Sequence, residues 1–481
     1  MHFDSNPITA AATENDNQPW YRLLNRYHWF VFIVASLGWL FDTMDQQLFN
    51  LARKPAIMYL IGATSPADPG VSRYAGYATT VFMLGWAIGG FAFGILGDRI
   101  GRARTMLLTI LLYSIFTGLS ALSTGVWDFC FYRFLTGLGV GGEFAVGVAL
   151  VAEVMPDRAR PMALGWLQAL SAVGNMMAAV LSLALGKLEE TGAIGSAWRA
   201  MFVLGILPAL LSLFIFKKLK EPEKWQKAHD QRKADRAAGI IGKEHALGSI
   251  GELFRDPRWR RNTIVGMLLA FSGVVGLWGI GVFTPDLTRT VFDPHFQQVG
   301  REQGLEGEAL KAFVGGKLTQ WASLTLLLFN AGAFFGIYAF SKITSVVGRK
   351  PAFAISFVIA MLATLYTFYT LREFHEIFWK LPLLGFCQLA LFGGYAIYFP
   401  ELFPTRLRST GTSFCYNVGR LVAAAGPSTL GLLASDFYKD YGKTDPSMPF
   451  RYAAMTMCAV FLIGLIALPF APETKGAPLP E

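Results

Sequence analysis

The chain has 481 residues, of which 53% are hydrophobic and only 16% are charged, and its mean hydropathy is +0.41. Soluble proteins carry about a quarter charged residues, so this composition excludes an ordinary soluble globular protein. The formal net charge of +9 is concentrated in links between apolar stretches, and no nucleic-acid partner is needed to explain it.

Twelve apolar stretches follow one another along the chain. Each matches or approaches the roughly 20 residues that a membrane-spanning helix needs, so we predict an all-α membrane protein with twelve transmembrane helices. The predicted spans 1 to 12 are 28–50, 75–97, 104–123, 128–154, 161–186, 198–217, 263–287, 319–342, 351–371, 377–400, 409–434 and 451–471.

Lysine and arginine concentrate in the links 98–104, 156–160, 217–262, 342–350 and 404–408, which all lie on one side of the twelve spans. We call this side the linker side. Basic residues mark the cytoplasmic side of a membrane protein. We therefore predict a multi-pass protein of the inner or plasma membrane with both termini in the cytoplasm. On the opposite side, the long link 288–317 is predicted to form a surface cap.

Motifs of the first half of the chain recur in the second half. The pair Gly101-Arg102 returns as Gly348-Arg349, an offset of 247 residues (348 − 101), and "EVMPDRAR" returns as "ELFPTRLR" at an offset of 248 (401 − 153). Such duplication is typical of secondary transporters, whose substrate site lies between the repeats near the membrane midplane. The predicted divisions are a tail (1–27), a six-helix bundle (28–217), a linker loop (218–262), a second, pseudo-symmetric six-helix bundle (263–471) and a tail (472–481).

These motifs give the chain a resemblance to the major facilitator superfamily over essentially its whole length. "GDRIGRAR" resembles that family's signature between spans 2 and 3, and "RFLTGLGVGG" resembles its signature in span 4. The repeated "E-x-x-P-x-R-x-R" and the final "PETKGAPLP" resemble its sugar-porter and organic-ion branches. The resemblance implies the major facilitator fold and links that latch the cytoplasmic ends together while the cavity faces outward. The latch residues that it implies are Asp98, Arg99, Arg102, Glu153, Arg160, Glu401 and Arg408.

The second copy of the first motif departs from the pattern. We expect Ser341 and Lys342 at the places of its aspartate and arginine, so a charge relay is expected only in the first half.

Ionisable residues inside predicted spans are candidates for function. Asp42 and Asp45 share one face of span 1, and Arg133 of span 4 lies at a comparable depth by helical rise. Such a group can take up and release protons; a permanent structural ion pair is the alternative. Glu143, near the midplane, is either a second protonatable group or a protonated, hydrogen-bonded acid. All six histidines lie outside helix interiors, so carboxylates are expected to carry any protons.

Arg420 lies about 17 Å along span 11 by helical rise, near the centre of a hydrocarbon core about 30 Å thick. A buried guanidinium needs an anionic partner, and its planar fork suits a carboxylate. Three partners remain open: an internal acid such as Glu143, a bound anion, or both in alternation. Asn417 shares the same helical face one turn earlier.

A narrower resemblance bears on the substrate. "NVGRLVAAAGP" resembles the span-11 signature of the aromatic acid:proton symporters, and its arginine occupies the same position in organic anion transporters. "D-x-x-D" in span 1 also resembles the paired aspartates of the aromatic acid:proton symporters, whereas "GGEFAVGVALVAE" in span 4 is more similar to metabolite:proton symporters. The resemblance implies a small organic anion as substrate. The predicted substrate-binding residues are Arg420, Asn417, Tyr395, Tyr398, Gln168 and Trp278.

We therefore predict a secondary active transporter that couples a proton gradient to symport of an aromatic or other monocarboxylate by alternating access. A proton-coupled sugar or neutral-metabolite porter is the first alternative, although span 7 ("FSGVVGLWGIGVF") lacks the paired glutamines of sugar porters. A metabolite or drug antiporter is the second, although span 5 lacks the Gly-Pro element of such exporters, and a receptor on a transporter-like scaffold is a third. The sequence indicates no enzyme, metal or bound cofactor. The expected partners are the substrate, protons and the lipid bilayer, and the chain is expected to be a monomer.

Overall fold

The computed structural model describes residues 18–63, 69–190, 192–210, 218–237, 247–423, 426–443, 445 and 447–480. Throughout these residues the regular secondary structure is helical. Nine helices in the described part of the chain are long and apolar enough to cross a membrane, and further helices lie at predicted spans 1, 6 and 11. The prediction of an all-α membrane protein with twelve spans is confirmed.

Among the described residues, the first half contains six α-helices in the predicted order. They are Arg26–Ile61, Pro69–Ile100, Arg102–Ser120, Val126–Val154, Arg160–Glu190 and Ala197–Leu204. The first of them begins where the side chain of Asn25 accepts a hydrogen bond from the backbone N–H of His28, as helix N-caps do. It ends at Gly62, whose φ of 67° is the left-handed conformation that favours glycine after a helix. Residues 211–217 of predicted span 6 lie outside the described residues.

The predicted linker loop contains two helices, Glu223–Ala237 and Ile250–Arg255. The second half then repeats the six-helix order. Its helices are Pro257–Val275, Gly307–Val347, Arg349–Thr370, Ile377–Leu402, Arg408–Ala423 with Gly426–Leu432, and Met448–Met457 with Val460–Ala467.

The outer link 288–317, predicted as a surface cap, is largely helical. The chain continues from span 7 as a helix, Thr284–Glu302, and the helix of span 8 already begins at Gly307. The apolar residues Phe292 and Phe296 are buried four residues apart on one face, the spacing that makes a helix amphipathic. Phe292 packs against Trp321 of span 8, with ring centroids 5.8 Å apart.

Glycines bring spans 2 and 4 into backbone contact, and the repeat does the same for spans 8 and 10. A β-carbon at Gly89 would collide with the carbonyl of Leu138, and one at Gly336 would collide with the carbonyl of Phe386. The two glycines are 247 residues apart, as the repeated motifs are. Small residues at such interfaces allow membrane helices to approach closely. The duplication seen in the links therefore extends into the packing of the spans.

A carboxylate caps the helix that follows the sharp turn in each half. Gly101 and Gly348 have φ of 115° and 98°, which favour glycine, and each precedes a helix start. Glu221 accepts from the backbone N–H groups of residues 103 and 104, and Glu473 accepts from those of residues 349 and 350. Both carboxylates thus satisfy free donors at a helix N-terminus.

Replacing Glu473 with glutamine is expected to lower the midpoint of thermal unfolding by about 1–2 °C near pH 7, because a capping side chain contributes on the order of 1 kcal/mol. Burial alone would raise the pKa of Glu473, but four backbone N–H groups lower it below the usual 4.5. The stabilisation is therefore complete above pH 4.5 and is lost as the pH falls through the lower folded value. The wild-type and variant unfolding curves should converge at acidic pH; a difference that grows on acidification would contradict the capping role.

Candidate functional site

A first set of contacts joins the two halves at the linker side. Asp98, at the end of span 2, accepts hydrogen bonds from the backbone N–H groups of Ser409 (3.2 Å) and Thr410 (2.9 Å) and from the Thr410 hydroxyl (2.6 Å). Those groups belong to the first turn of the helix of span 11, which begins at Arg408 and carries a partial positive charge there. The neighbouring Arg99 is exposed and donates instead to a backbone carbonyl of the linker. A buried carboxylate of the first half therefore caps a helix of the second.

A buried ion-pair network crosses between the halves beside this contact. Glu153 Oε1 accepts from Arg102 Nη2 at 2.9 Å and from Arg408 Nη1 at 2.7 Å. Arg102 also lies 2.9 Å from Asp98 and donates to the carbonyl of Thr405. The side chains of Asp98, Arg102 and Arg408 are fully buried. Because Arg102 and Glu153 belong to the first half and Arg408 to the second, the network holds the linker-side ends together.

Among the described contacts, the repeated pair Arg349 and Glu401 of the second half makes no such crossing. Arg349 Nη2 pairs with Glu401 Oε1 at 2.7 Å, within the second half. Arg160, which occupies the position of the crossing arginine in the first half, donates to the carbonyl of Ala152 at 3.0 Å and pairs with Asp157. The repeat supplies the same residues twice, but only the first-half glutamate is bridged to the other half.

The second-half counterpart of Asp98 is Ser345, and the expectation of Ser341 was wrong by one helical turn. Arg349 and its first-half equivalent each donate to the carbonyl five residues earlier, which fixes the correspondence. The hydroxyl of Ser345 donates to the carbonyl of Lys342 in its own helix, at 2.7 Å. The second half therefore has no acid at the place of Asp98.

Replacing Asp98 with asparagine is expected to lower the initial transport rate about tenfold while the protein still folds, because one charge-assisted set of hydrogen bonds between the halves is weakened. The measurement is uptake into proteoliposomes at matched protein content. Ser345→Ala is the matched control in the repeat and should transport at close to the wild-type rate. An Asp98→Asn variant that is fully active would show that the contact is not part of the transport cycle.

A cavity of about 330 Å³ lies between the halves, lined by spans 1 and 2 of the first half and spans 7 and 11 of the second. Its polar lining residues are Gln46, Asn50, Thr79, Thr80, Asn417 and Arg420, and its aromatic ones are Phe49, Phe82, Trp86 and Trp278. Of the predicted substrate-binding residues, it therefore brings together Arg420, Asn417 and Trp278. Trp278 lies in a π-helical turn, Gly276–Ile280, a feature frequent at functional sites.

The guanidinium of Arg420 is held by aromatic rings. Its Cζ lies 3.9 Å from the ring centroid of Trp86 and 4.2 Å from that of Tyr416. Its Nε is buried and has no hydrogen-bond partner. None of the ion pairs found among the described residues includes Arg420, although Asp42 lies within electrostatic range of it. The cavity thus contains a cation with an unused donor.

Asp42 lies one side chain away from the cavity. Its Oδ2 accepts a hydrogen bond from Nε2 of Gln46 at 3.1 Å, and Gln46 lines the cavity. Its Oδ1 is buried without a hydrogen-bond partner. The carboxyl lies within electrostatic range of Arg420 and Glu143. Protonation of Asp42 would therefore change the electrostatic environment of Arg420 in the cavity.

Asp45 has a different partner. Its Oδ2 lies 3.9 Å from Nη1 of Arg133. Arg133 is fully buried and also donates to the hydroxyls of Ser120 and Thr117 of span 3, each at 3.0 Å. The structure therefore pairs Arg133 with Asp45 and leaves Asp42 to the cavity side of span 1.

Glu143 is buried between spans 1, 3 and 4. Its Oε2 accepts from the hydroxyl of Thr109, and its Oε1 is buried without a partner. A β-carbon at Gly38 of span 1 would lie 2.6 Å from that Oε1, so the glycine makes room for the carboxyl. Glu143 forms no described ion pair with Arg420, which leaves the expected internal partner of the arginine absent from the described contacts.

Three predicted substrate-binding residues are not brought to the cavity. The hydroxyl of Tyr395 donates to the carbonyl of Leu269 at 2.7 Å, and that of Tyr398 donates to the carbonyl of Pro472 at 2.6 Å. Gln168 is buried and is bonded to a serine one turn along its own helix. A buried tyrosine hydroxyl needs a partner, and each of the two has one, in span 7 for Tyr395 and in the C-terminal tail for Tyr398. These placements correct the expectation that the three residues line the site.

Most cavity-lining residues were missed from the sequence, and two of them, Gln46 and Trp86, contact Asp42 and Arg420. Gln46 follows Asp42 by four residues, so the pairing rule for helices could have identified it. Trp86 could not have been found in this way. It belongs to the first half, whereas the guanidinium that it contacts belongs to the second, and no local spacing connects them.

Comparisons with known proteins agree with this architecture. Residues 32–301 match the model of the Major Facilitator Superfamily, and residues 265–387 match that of sugar (and other) transporters. A cis,cis-muconate transport protein of Acinetobacter baylyi is 30% identical over 405 residues, which cover 84% of this chain and 87% of the relative. A probable 4-methylmuconolactone transporter of Cupriavidus pinatubonensis is 28% identical, over 95% of this chain and 93% of the relative.

Solved structures show the same fold. The proton:xylose symporter XylE, bound to 6-bromo-6-deoxy-D-glucose, superposes with a TM-score of 0.68 at 18% identity, and the match covers 94% of this chain and 98% of that one. The family model covers more than half of the chain, including the latch residues Asp98, Arg102 and Glu153 of the first half and the cavity-lining residues of spans 1, 2 and 7. The chain belongs to the Major Facilitator Superfamily, a family of membrane transporters.

Proposed function

We propose that the protein is a proton-coupled symporter of a small organic anion, an aromatic or other monocarboxylate. The observation that carries the proposal is the cation of Arg420 in the cavity between the halves, with a buried donor that has no partner. The Arg420 side chain is only partly exposed, and a guanidinium held there without a paired carboxylate keeps a desolvation cost. An anionic substrate that enters the cavity offsets that cost, whereas a neutral solute does not.

The size and lining of the cavity favour a small acid with a ring or another planar apolar part. A volume of about 330 Å³ is at the lower end of the range of about 300–1,000 Å³ typical of small-molecule sites. Trp86 and Trp278 pack edge to face with centroids 6.2 Å apart and line the cavity with aromatic surface. The names of the two relatives, a muconate and a muconolactone transporter, also point to organic acids.

The charges around the cavity support proton coupling. Asp42 and Arg420 lie within electrostatic range of each other. When a substrate carboxylate binds Arg420, it adds a negative charge beside Asp42 and favours uptake of a proton there. By linkage, a proton on Asp42 favours binding of the anion to the same degree. Anion and proton would then be carried together as a neutral pair.

The contacts that join the two halves at the linker side support alternating access. Asp98 and the network around Glu153 hold the halves together at the linker side, so that side of the pathway is closed. Substrate would enter the cavity from the opposite side. Breakage of these contacts would then open the linker side and release the anion and the proton there.

The test is ligand binding to the purified protein, followed by uptake into proteoliposomes. Benzoate is the probe, benzamide is its neutral control of the same shape, and xylose represents sugars. We expect benzoate alone to raise the unfolding midpoint, since a ligand at 100 times its Kd stabilises by about 2.7 kcal/mol. Stabilisation by benzamide as strong as by benzoate would contradict the role of the charge.

A sugar or another neutral metabolite is the second candidate. It is favoured by the three amide side chains that line the cavity, those of Gln46, Asn50 and Asn417, because amides both donate to and accept from hydroxyl groups. Stabilisation by xylose without stabilisation by benzoate would support it. An antiporter would be indicated if benzoate uptake were driven by a proton gradient of the opposite direction.

A further inference from the structure

We infer that Trp86 is a positioning residue for Arg420: its indole face holds the guanidinium so that the donors at the edge of the guanidinium face the cavity. The inference rests on the proposed function, and it adds a residue of the first half to a substrate site whose charge comes from the second. It assigns a transport role to a side chain for which the sequence motifs give none.

The geometry on which this depends is the contact of one planar cation with two rings. Arg420 Cζ lies 3.9 Å from the Trp86 centroid and 4.2 Å from the Tyr416 centroid, well within the ~6 Å of a cation–π contact. Rings that cover the faces of a guanidinium leave its N–H groups at the edge. A carboxylate accepts from that edge as a fork, so the rings decide where the carboxylate is bound.

The backbone of Trp86 is itself fixed, which a positioning residue requires. A β-carbon at Gly141 of span 4 would collide with the carbonyl of Trp86, so the two helices touch at this point. The indole is only 6% exposed and packs edge to face against Trp278. Arg420, with three carbons between its backbone and its charged group, has no comparable restraint of its own.

The contact also crosses between the halves. Trp86 belongs to span 2 and Arg420 to span 11, the two helices that are joined at the linker side by Asp98. Separation of these helices during alternating access would remove the indole from the guanidinium. The arrangement of donors that binds the anion would thus be complete in the latched state and weakened when the latch opens.

The test compares Trp86→Leu, which removes the aromatic face, with Trp86→Phe, which keeps one. In proteoliposomes, Trp86→Leu should raise the KM for benzoate about tenfold with a smaller change in kcat, since a desolvated cation–π contact has about that effect. Trp86→Phe should restore the KM to within about threefold of the wild-type value. If Trp86 had only a structural role, both variants would lose stability or kcat, and the KM for benzoate would not differ between them.

Trp198→Leu is the matched control. Trp198 is a buried tryptophan of the same half and lies 4.5 Å from the guanidinium of Arg199, but it does not line the cavity. Its removal should affect the unfolding midpoint and leave the KM unchanged. An unchanged KM in Trp86→Leu, or a Trp86→Phe variant as impaired as Trp86→Leu, overturns the inference and leaves the proposed function standing. A wild-type protein that neither binds nor transports benzoate overturns both.

Discussion

Uptake of organic anions is expected to be lost when Arg420 is replaced by alanine, with a fall in kcat/KM on the order of a hundredfold or more. The reason is that truncating one partner of a buried charged hydrogen-bonded pair costs about 2–5 kcal/mol, and each 1.4 kcal/mol is a factor of ten. In the cavity, Arg420 is the residue that supplies a positive charge to the described lining. The measurement is uptake of labelled benzoate into proteoliposomes.

The stability of the same variant provides the control. Because Arg420 is partly exposed and takes part in no described ion pair, its removal should leave the unfolding midpoint close to the wild-type value. Arg133→Ala should instead lower the midpoint, since it would leave Asp45 buried without its partner. Arg420→Lys keeps the charge but loses the fork and should be intermediate. Intact benzoate uptake by Arg420→Ala would contradict the assignment and favour a neutral substrate.

The latch was largely predictable from the sequence because its residues lie in motifs that occur twice. Asp98, Arg102, Glu153 and Arg408 were all identified from these links, and the structure brings them into one network. The sequence could not show which copy crosses between the halves. Arg160 and Arg408 occupy equivalent positions in the two halves, but they have different partners. Arg160 donates to the carbonyl of Ala152 in its own half, whereas Arg408 donates to Glu153 of the other half.

The cavity was only partly predictable, and the reason is geometrical. A residue within a span can face the cavity, the core of its own half or lipid, and the sequence of that span alone does not separate these directions. Tyr395 was therefore expected in the site, although its hydroxyl binds a carbonyl of span 7. Arg420 was identified because a charge in an apolar span is costly wherever it faces. Its contact with Trp86 depends on the packing of two helices from different halves.

The structure also separates the two aspartates that the sequence grouped together. Asp45 lies 3.9 Å from Arg133 without a hydrogen bond to it, and three hydroxyls hold Arg133 in place. Asp42 has one hydrogen bond, from a glutamine of the cavity wall, and one free oxygen. Of the two, Asp42 is the carboxyl whose protonation can follow the occupancy of the cavity.

Replacing Asp42 with asparagine is expected to abolish accumulation of benzoate against its gradient while sparing exchange. Asparagine has nearly the same shape and can still accept from Gln46, but it neither takes up nor releases a proton. An imposed pH gradient should therefore no longer drive the internal concentration above the external one. Counterflow, in which external label exchanges for internal unlabelled benzoate without a proton gradient, should stay within about threefold of wild type because the anion site of Arg420 is intact.

Asp45→Asn distinguishes a coupling residue from a structural one. It leaves the guanidinium of Arg133 buried without a counter-charge, so we expect a clear fall in the unfolding midpoint, since breaking a buried pair costs about 3–5 kcal/mol. The molecules that remain folded should still accumulate benzoate. If Asp45→Asn instead abolishes accumulation at an unchanged midpoint, and Asp42→Asn accumulates normally, then the proton is carried by the Asp45–Arg133 pair. Asp42, beside the cavity, would in that case contribute to anion binding and not to proton transfer.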